Sequence, residues 1–321
     1  MTRIARAAFA ACCFALAAPG GADTFSFALI GDVPYNAFER AHLPRLIEEI
    51  DTENIAFVIH DGDIKDGGSL CSDEVFLDRL RIFDASHHPF VLVLGDNEWT
   101  DCRRRSNGAF DPLERLAKLR EIFYARGRTL GRNTFPLESQ AADPAFGQYR
   151  ENVRWQKGRV LFVALNVPGG DNNFGRGPAP SHDFVDRGNA NRAWLASAFA
   201  MARSRALAGI VIVIQANPAF EAYNRGSPQR GYQALIDQLV AETRAFPGQV
   251  VLVHGDSHFH RIDRPMLNPD THQVVDNFIR VETYGSPFMG WVKVTANDEQ
   301  SPLFRFESRP YTVPQGDRPM Q

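Results

Sequence analysis

Short apolar runs recur along the chain, and each gives way to a polar, glycine-containing loop. They occupy residues 24–30, 55–59, 90–94, 160–165, 210–214 and 250–253. Continuous runs of this kind suit strands buried on both faces. Between them, residues 42–50, 73–83, 112–124, 190–203 and 229–243 alternate apolar and polar positions at helical spacing. Strand and helix therefore alternate, which places the chain in the α/β class. Three later runs, 278–281, 291–294 and 303–306, follow one another without helices, as if a second sheet finishes the fold. Two irregular stretches, 127–149 and 166–186, are too long for mere connections and read as the rim of a site. For the second, a plain surface loop is the alternative.

With 44% hydrophobic residues among 321, the chain can bury one large core. Thirty-five basic side chains against 38 acidic ones leave a charge of -3, so no broad field for gripping nucleic acid or an anionic membrane is expected. The N-terminus carries Arg3 and Arg6, then an apolar run over residues 7–18, then Pro19, Gly20 and Gly21. This is the pattern of a secretory signal peptide over residues 1–22, with a run too short to span a bilayer. The mature protein is thus expected to be exported, to a periplasm or to the medium, with one domain over residues 23–310 and a tail over 311–321. Cys12 and Cys13 fall in the leader. Cys71 and Cys102 remain, and an even pair in an oxidising compartment reads as one disulfide, with free buried thiols as the alternative.

Polar residues collect directly after the apolar runs, where open α/β sheets place their ligands. The loops read Gly31-Asp32-Val33-Pro34-Tyr35, His60-Asp61-Gly62-Asp63-Ile64-Lys65-Asp66, Gly95-Asp96-Asn97-Glu98-Trp99, Gln215-Ala216-Asn217 and His254-Gly255-Asp256-Ser257-His258. One acid after a strand is an ordinary helix cap or turn former. Carboxylates from several strand ends meeting at one edge repel each other unless cations lie among them. Oxygen donors with a minority of imidazole suit Mn, Mg, Fe or Zn, with a lean toward the harder ions.

The series resembles the calcineurin-like metallophosphoesterase superfamily, whose elements run Asp-x-His, Gly-Asp-x-x-Asp, Gly-Asn-His-(Asp/Glu), a later His, and Gly-His-x-His. Gly62-Asp63-Ile64-Lys65-Asp66 matches the second in full, and Gly255-Asp256-Ser257-His258 stands where the last belongs. The resemblance implies a two-sheet αββα sandwich with long active-site loops. It also implies a hydrolase of phosphomonoesters or phosphodiesters that uses two divalent metal ions and an activated water, with Mn or Mg favoured. By the same resemblance, Asp32 and His258 would hold one metal, Asp63 would bridge, and Asp96 or Asn97, Asn217 and Asp256 would hold the other.

The departures from the family pattern are specific. Pro34, Asn217 (or Gln215) and Asp256 replace histidines, and the third element offers either Asp96 or Asn97 as the ligand. The usual acid histidine is missing, which leaves Glu98, His60, His254 or His260 as proton donors. For His254 the plainer reading is a buried, hydrogen-bonded core side chain. Arg103 and Arg104 are candidate contacts for a phosphorylated substrate, against solvated surface as the plainer reading. Glu282 would orient a ligand histidine or make an interior ion pair, Tyr35 would wall the pocket and Trp99 would pack in the core. No Gly-x-Ser-x-Gly elbow and no Gly-x-Gly-x-x-Gly turn follows a strand, which argues against a serine hydrolase or a dinucleotide site. A recognition module that binds metal or a phosphorylated ligand without turnover is the rival reading.

Overall fold

The structure, a computed structural model, describes residues 24–313. The leader with Cys12 and Cys13, and positions 314–321 of the tail, lie outside them. Twelve strands run in chain order: β1 Thr24–Ile30, β2 Val58–His60, β3 Phe90–Leu92, β4 Glu138–Ser139, β5 Val153–Lys157, β6 Val160–Ala164, β7 Gly209–Val213, β8 Gln249–His254, β9 Arg261–Asp263, β10 Phe278–Glu282, β11 Gly290–Asn297 and β12 Phe304–Pro310. The helices are α1 Ala37–Asp51, α2 Asp73–Asp84, α3 Pro112–Phe123, the single turn α4 Gly169–Asn172, α5 His182–Ser204, the short α6 Phe220–Asn224 and α7 Gln233–Ala245.

Two sheets form. The first has order β12-β11-β1-β2-β3 and the second β4-β5-β6-β7-β8-β10-β9. Strands β1, β2 and β3 run parallel, as do β6, β7, β8 and β10, and the strands added at the sheet edges pair antiparallel. Alternation along each strand explains the layering. In β1, Phe25, Phe27 and Leu29 point between the sheets, while Ala28 and Ile30 meet α1 and α2. In β6, Phe162 and Ala164 face the other sheet, while Leu161 and Val163 meet α5 and α7. Every one of these positions is filled by an apolar residue, which is why the runs look unbroken in sequence. The result is the αββα sandwich.

Two expectations are corrected. The last strands do not make a sheet of their own: β10 enters the second sheet beside β8, while β11 and β12 return to the first and pair with β1. The 127–149 stretch does not rim the parallel strands' C-terminal edge. Leu130 exchanges backbone hydrogen bonds with Phe90 at the start of β3, and Phe135 and Leu137 plug the layer between the sheets, at the opposite end. The 166–186 stretch does reach the loop edge, and its last five residues are helix, since α5 starts at His182 under a Ser181 cap.

Candidate metal centre

The loops after β1, β2, β3 and β8 converge on one hydroxyl. Tyr35 donates from its phenol to Asp63 Oδ2 at 2.7 Å and lies 3.4 Å from Asp32 Oδ1. Asn97 Nδ2 reaches the same phenol oxygen at 2.9 Å and Asp63 Oδ2 at 2.8 Å, and its backbone N–H holds Asp63 Oδ1 at 3.0 Å. His258 Nε2 stands 3.2 Å from the phenol oxygen and 3.7 Å from Asp32 Oδ1. The opposite ring nitrogen, Nδ1, lies 2.6 Å from the carbonyl of Ser286, which makes it the N–H donor and turns the Nε2 lone pair toward the cluster. Asp32, Asp63 and His258, contributed by positions as much as 226 residues apart, therefore meet.

Asp96 and Asp256 extend the cluster to one side. A side-chain carbon at Gly169 would lie 2.5 Å from Asp256 Oδ1 and 2.9 Å from Asp96 Oδ1, so both carboxylates abut that glycine. Asp256 is tied back to Asp32 through its own N–H, 3.0 Å from Asp32 Oδ2. Gln215 Oε1 accepts the Gly169 N–H at 2.6 Å and fixes the turn. Beyond it, Gly170, Asp171, Asn172 and Asn173 run at φ 58, 60, 54 and 53, a left-handed turn. Arg187, fully buried, clamps this turn through the Asn172 carbonyl and side chain, with its guanidinium over the Trp99 ring.

Left-handed backbone recurs at the cluster itself. Asp32, Asp63, Asp256 and His258 have φ of 49, 56, 75 and 57. Such conformations cost on the order of 1–3 kcal/mol each and gather where function over-determines the backbone. The electrostatics point the same way. Burial, followed by the charge on Asp256, holds Asp32 well above the carboxylate range; burial, followed by Asp96, does so for Asp63. Asp96 is pushed up to about 7 by burial and by Asp256. Among the described residues no lysine or arginine pairs with Asp32, Asp63, Asp96 or Asp256. A buried set of carboxylates without countercharge is suited to cations, so the donor set fits the divalent ions the fold implies. As the side chains stand, no three His, Cys, Asp or Glu among the described residues close on a common point; Tyr35 and Asn97 lie hydrogen-bonded among them.

Other expected residues lie elsewhere. Asn217 turns its side chain to Ser257 Oγ and the Ala219 N–H, and supports Asp256 through its backbone N–H. Asn97 faces the cluster with its amide nitrogen, so ligation needs the amide reversed. Three of the four proton-donor candidates are buried. Glu98 takes the Gly95 N–H, His60 lies against the Val33 carbonyl and the Gly62 N–H, and His254 Nδ1 lies 2.9 Å from the Gly255 carbonyl. Burial lowers His60 to about 4 and His254 to about 3. His260 is turned away between the Glu282 carbonyl and Ser308, stacked on Tyr284. Glu282 binds Ser257 and Arg261 rather than His258, so the Ser286 carbonyl does the orienting. Arg103 folds back on the Thr100 carbonyl. Arg104, half-exposed, bonds the Gly67 carbonyl and Asp101 beside the Asn97 side chain. Trp99 is fully buried, as expected of a core side chain. Cys71 and Cys102 form the disulfide, with Cα atoms 5.7 Å apart, and pin the β2 and β3 loops together.

The part played by Tyr35 exceeds that of a pocket wall, and Glu39 was not visible as a site residue at all. Glu39 accepts the Tyr35 N–H at 2.6 Å and the Ser286 hydroxyl at 2.6 Å while closing the α1 cap with Asn36. The Asn36-x-x-Glu39 pattern is the sequence signal that marks this cap.

Residues 25–143 match the family model described as calcineurin-like phosphoesterase. No curated protein sequence matches the chain. Among solved structures, a dimetal phosphatase from Danio rerio superposes with a TM-score of 0.56 at 12% identity, over 89% of this chain and 96% of that one. The structure of PhoD superposes with a TM-score of 0.55 at 14% identity, over 86% of this chain and 64% of that one, so this chain spans less than two thirds of PhoD. At such identities the likeness is one of fold. Residues 25–143 are thus similar to the calcineurin-like phosphoesterase family, and the described residues as a whole form an αββα sandwich.

Proposed function

We propose that this protein is an exported, metal-dependent hydrolase of phosphomonoester or phosphodiester bonds that works with two divalent ions and an activated water. The supporting observation is the meeting of Asp32, Asp63 and His258 around the Tyr35 hydroxyl, with Asp96 and Asp256 alongside. Neighbouring donors on an ion with bonds of about 2.1 Å lie roughly 3 Å apart, and the separations around that hydroxyl are of this size. In this reading Asp32, His258 and Tyr35 serve one ion, and Tyr35 supplies the donor that Pro34 does not. Asp63 lies between the ions, and Asp96, Asn97 and Asp256 serve the other. Oxygen donors outnumber the single imidazole, which favours Mn or Mg over Zn or Fe.

When bound, such ions polarise a phosphoryl group and activate water. The protein's part is to orient. Ser286 fixes the His258 ring, Gln215 and Arg187 hold the turn that walls Asp96 and Asp256, and Arg104 presents a guanidinium to a substrate phosphate. Export is supported by the disulfide, and no helix among the described residues is long and apolar enough to cross a membrane.

The second reading, a metal- or phospholigand-binding module without turnover, is favoured by the burial of Glu98, His60 and His254, which leaves no expected acid at the open edge. Hydrolysis decides between them. Purified protein with Mn²⁺ is expected to cleave p-nitrophenyl phosphate, whose phenolate leaves without an acid, and Asp63→Ala is expected to reduce cleavage to background. Tight metal binding with no cleavage of any ester would establish the module instead.

A further inference from the structure

Between the β2 and β3 loops lies a buried cation to which the metal cluster assigns no part. Lys65 is 1% exposed. Its ammonium donates to two main-chain carbonyls, that of Asp66 at 2.7 Å and that of Asn97 at 2.9 Å. A lysine is rarely buried this far, because the desolvated charge costs stability that an apolar side chain of similar size would not. The charges of Glu98, Asp66, Asp63 and Asp101 offset part of that cost. What Lys65 gains for the protein lies at the other end of its bond to Asn97.

Residue 97 is held from both sides. Its N–H donates to Asp63 Oδ1 at 3.0 Å, and its carbonyl accepts from Lys65. The disulfide encloses the same carbonyl, with Cys71 Sγ 3.6 Å and Cys102 Sγ 3.9 Å away. Disulfide sulfurs have no hydrogen to give, so the hydrogen bond to this carbonyl comes from Lys65. The two peptide groups that flank the Asn97 Cα thus end on charged partners, a carboxylate at one and an ammonium at the other. With the Cα fixed, only the side-chain torsions are left to turn the Asn97 amide, and reversal of that amide is what ligation by Asn97 requires. Gly67, on the loop that carries Lys65, walls the amide: an added carbon there would lie 2.8 Å from Asn97 Oδ1. We propose that Lys65 is a positioning residue for metal binding, anchoring the Asn97 main chain so that the Asn97 side chain can serve the ion beside Asp96 and Asp256. This rests on the two-ion reading above and adds the buried group through which the β2 loop sets the affinity of one of the two ions. Residues that orient metal ligands without touching the metal act in this way.

The test reads metal rather than turnover. Stepwise Mn²⁺ binding is measured by calorimetry on the wild-type protein, Lys65→Met, Asn97→Ala and the double variant, and Asp256→Asn identifies the step that belongs to the Asn97 side. Lys65→Met is expected to weaken that step about tenfold, and the step of Asp32 and His258 by less. In the Asn97→Ala background Lys65→Met should weaken it no further, because the two residues act as one unit. Lys65→Gln, which keeps an N–H donor, should recover part of the loss, and it takes the place of Lys65→Met in the cycle should the methionine variant not fold. Unchanged binding, equal weakening of both steps, or effects that add in the double variant would overturn the proposal and leave the phosphoesterase reading intact. Wild-type protein that takes up a single ion would overturn both. An intact cycle without hydrolysis of any phosphoester would uphold Lys65 and sink turnover alone.

Discussion

Asp96 shows how one residue's surroundings set a property of the whole protein. Burial comes first and the Asp256 charge second in lifting its carboxyl from the ordinary 3.8 to about 7. An acid raised in this way stabilises the fold while it carries its proton; that contribution is complete below the ordinary value and is lost as pH rises through the raised one. Metal-stripped protein should therefore lose stability from Asp96 between about pH 4 and 7, and bound Mn²⁺ should compensate the exposed charge. The gap in Tm between Mn²⁺-loaded and EDTA-treated samples is expected to widen across that window, and to widen less in Asp96→Asn. A gap that is constant or narrows with rising pH would remove Asp96 from the cation site. Tyr35 could not be ranked from the sequence for a related reason. Its hydroxyl matters because the left-handed backbone at Asp32 and the turn after it aim the phenol inward, and positive φ at an aspartate leaves no mark in residue type.

At the scale of the element, the first turn of α1 joins fold to site. Asn36 caps the helix, Glu39 answers the cap, and the Glu39 carboxylate also takes the Tyr35 N–H and the Ser286 hydroxyl. Glu39→Ala removes the reciprocal cap, a loss of about 1 kcal/mol, and leaves donors unpaired at a further 1–3 kcal/mol, roughly. Thermal unfolding should shift down accordingly. Mn²⁺ affinity, by titration, should weaken because Glu39 positions Tyr35 directly and His258 through Ser286, and Glu39→Gln should recover part of both. Unchanged Mn²⁺ affinity in Glu39→Ala would show that the helix start does not position the site. The helices whose apolar stripe is complete, α2 and α3, were legible nearly to the residue. The start of α1 was missed because Ala37 to Arg40 carry little apolar signal, and α5 begins eight residues early because its opening turns follow a glycine- and proline-rich loop. Strands β4 and β9 escaped notice because two or three residues of mixed polarity show no period, and β5 because its Val-Arg-Trp-Gln alternation is so short.

At the scale of the molecule, two helix layers enclose two sheets, and the largely aliphatic inter-sheet core contains an aromatic cluster in which Phe162 meets Phe27, Phe57 and Trp155 at 5.0–5.1 Å between centroids. This core fixes the two sets of parallel strand ends against each other, so loops from both sheets share one edge. The alternation of strand and helix made the layers legible. The destination of β11 and β12 was not, since either sheet would satisfy their apolar pattern and the choice is made by pairing with β1, more than 250 residues away in sequence. For the site, the resemblance to the family's motifs named Asp32, Asp63 and His258 together, and the three side chains do gather at the Tyr35 hydroxyl. That His60, His254 and Glu98 are buried was not legible, because sequence does not carry which face of a strand end is open. The central claim is that Asp32, Asp63 and His258 jointly hold a cation, and anomalous diffraction from crystals of Mn²⁺-loaded protein measures it directly. The account predicts a manganese peak within bonding distance of all three side chains, with a second peak between Asp63, Asp96 and Asp256. Absence of any peak within bonding distance of Asp63, in crystals soaked at saturating Mn²⁺, would contradict it.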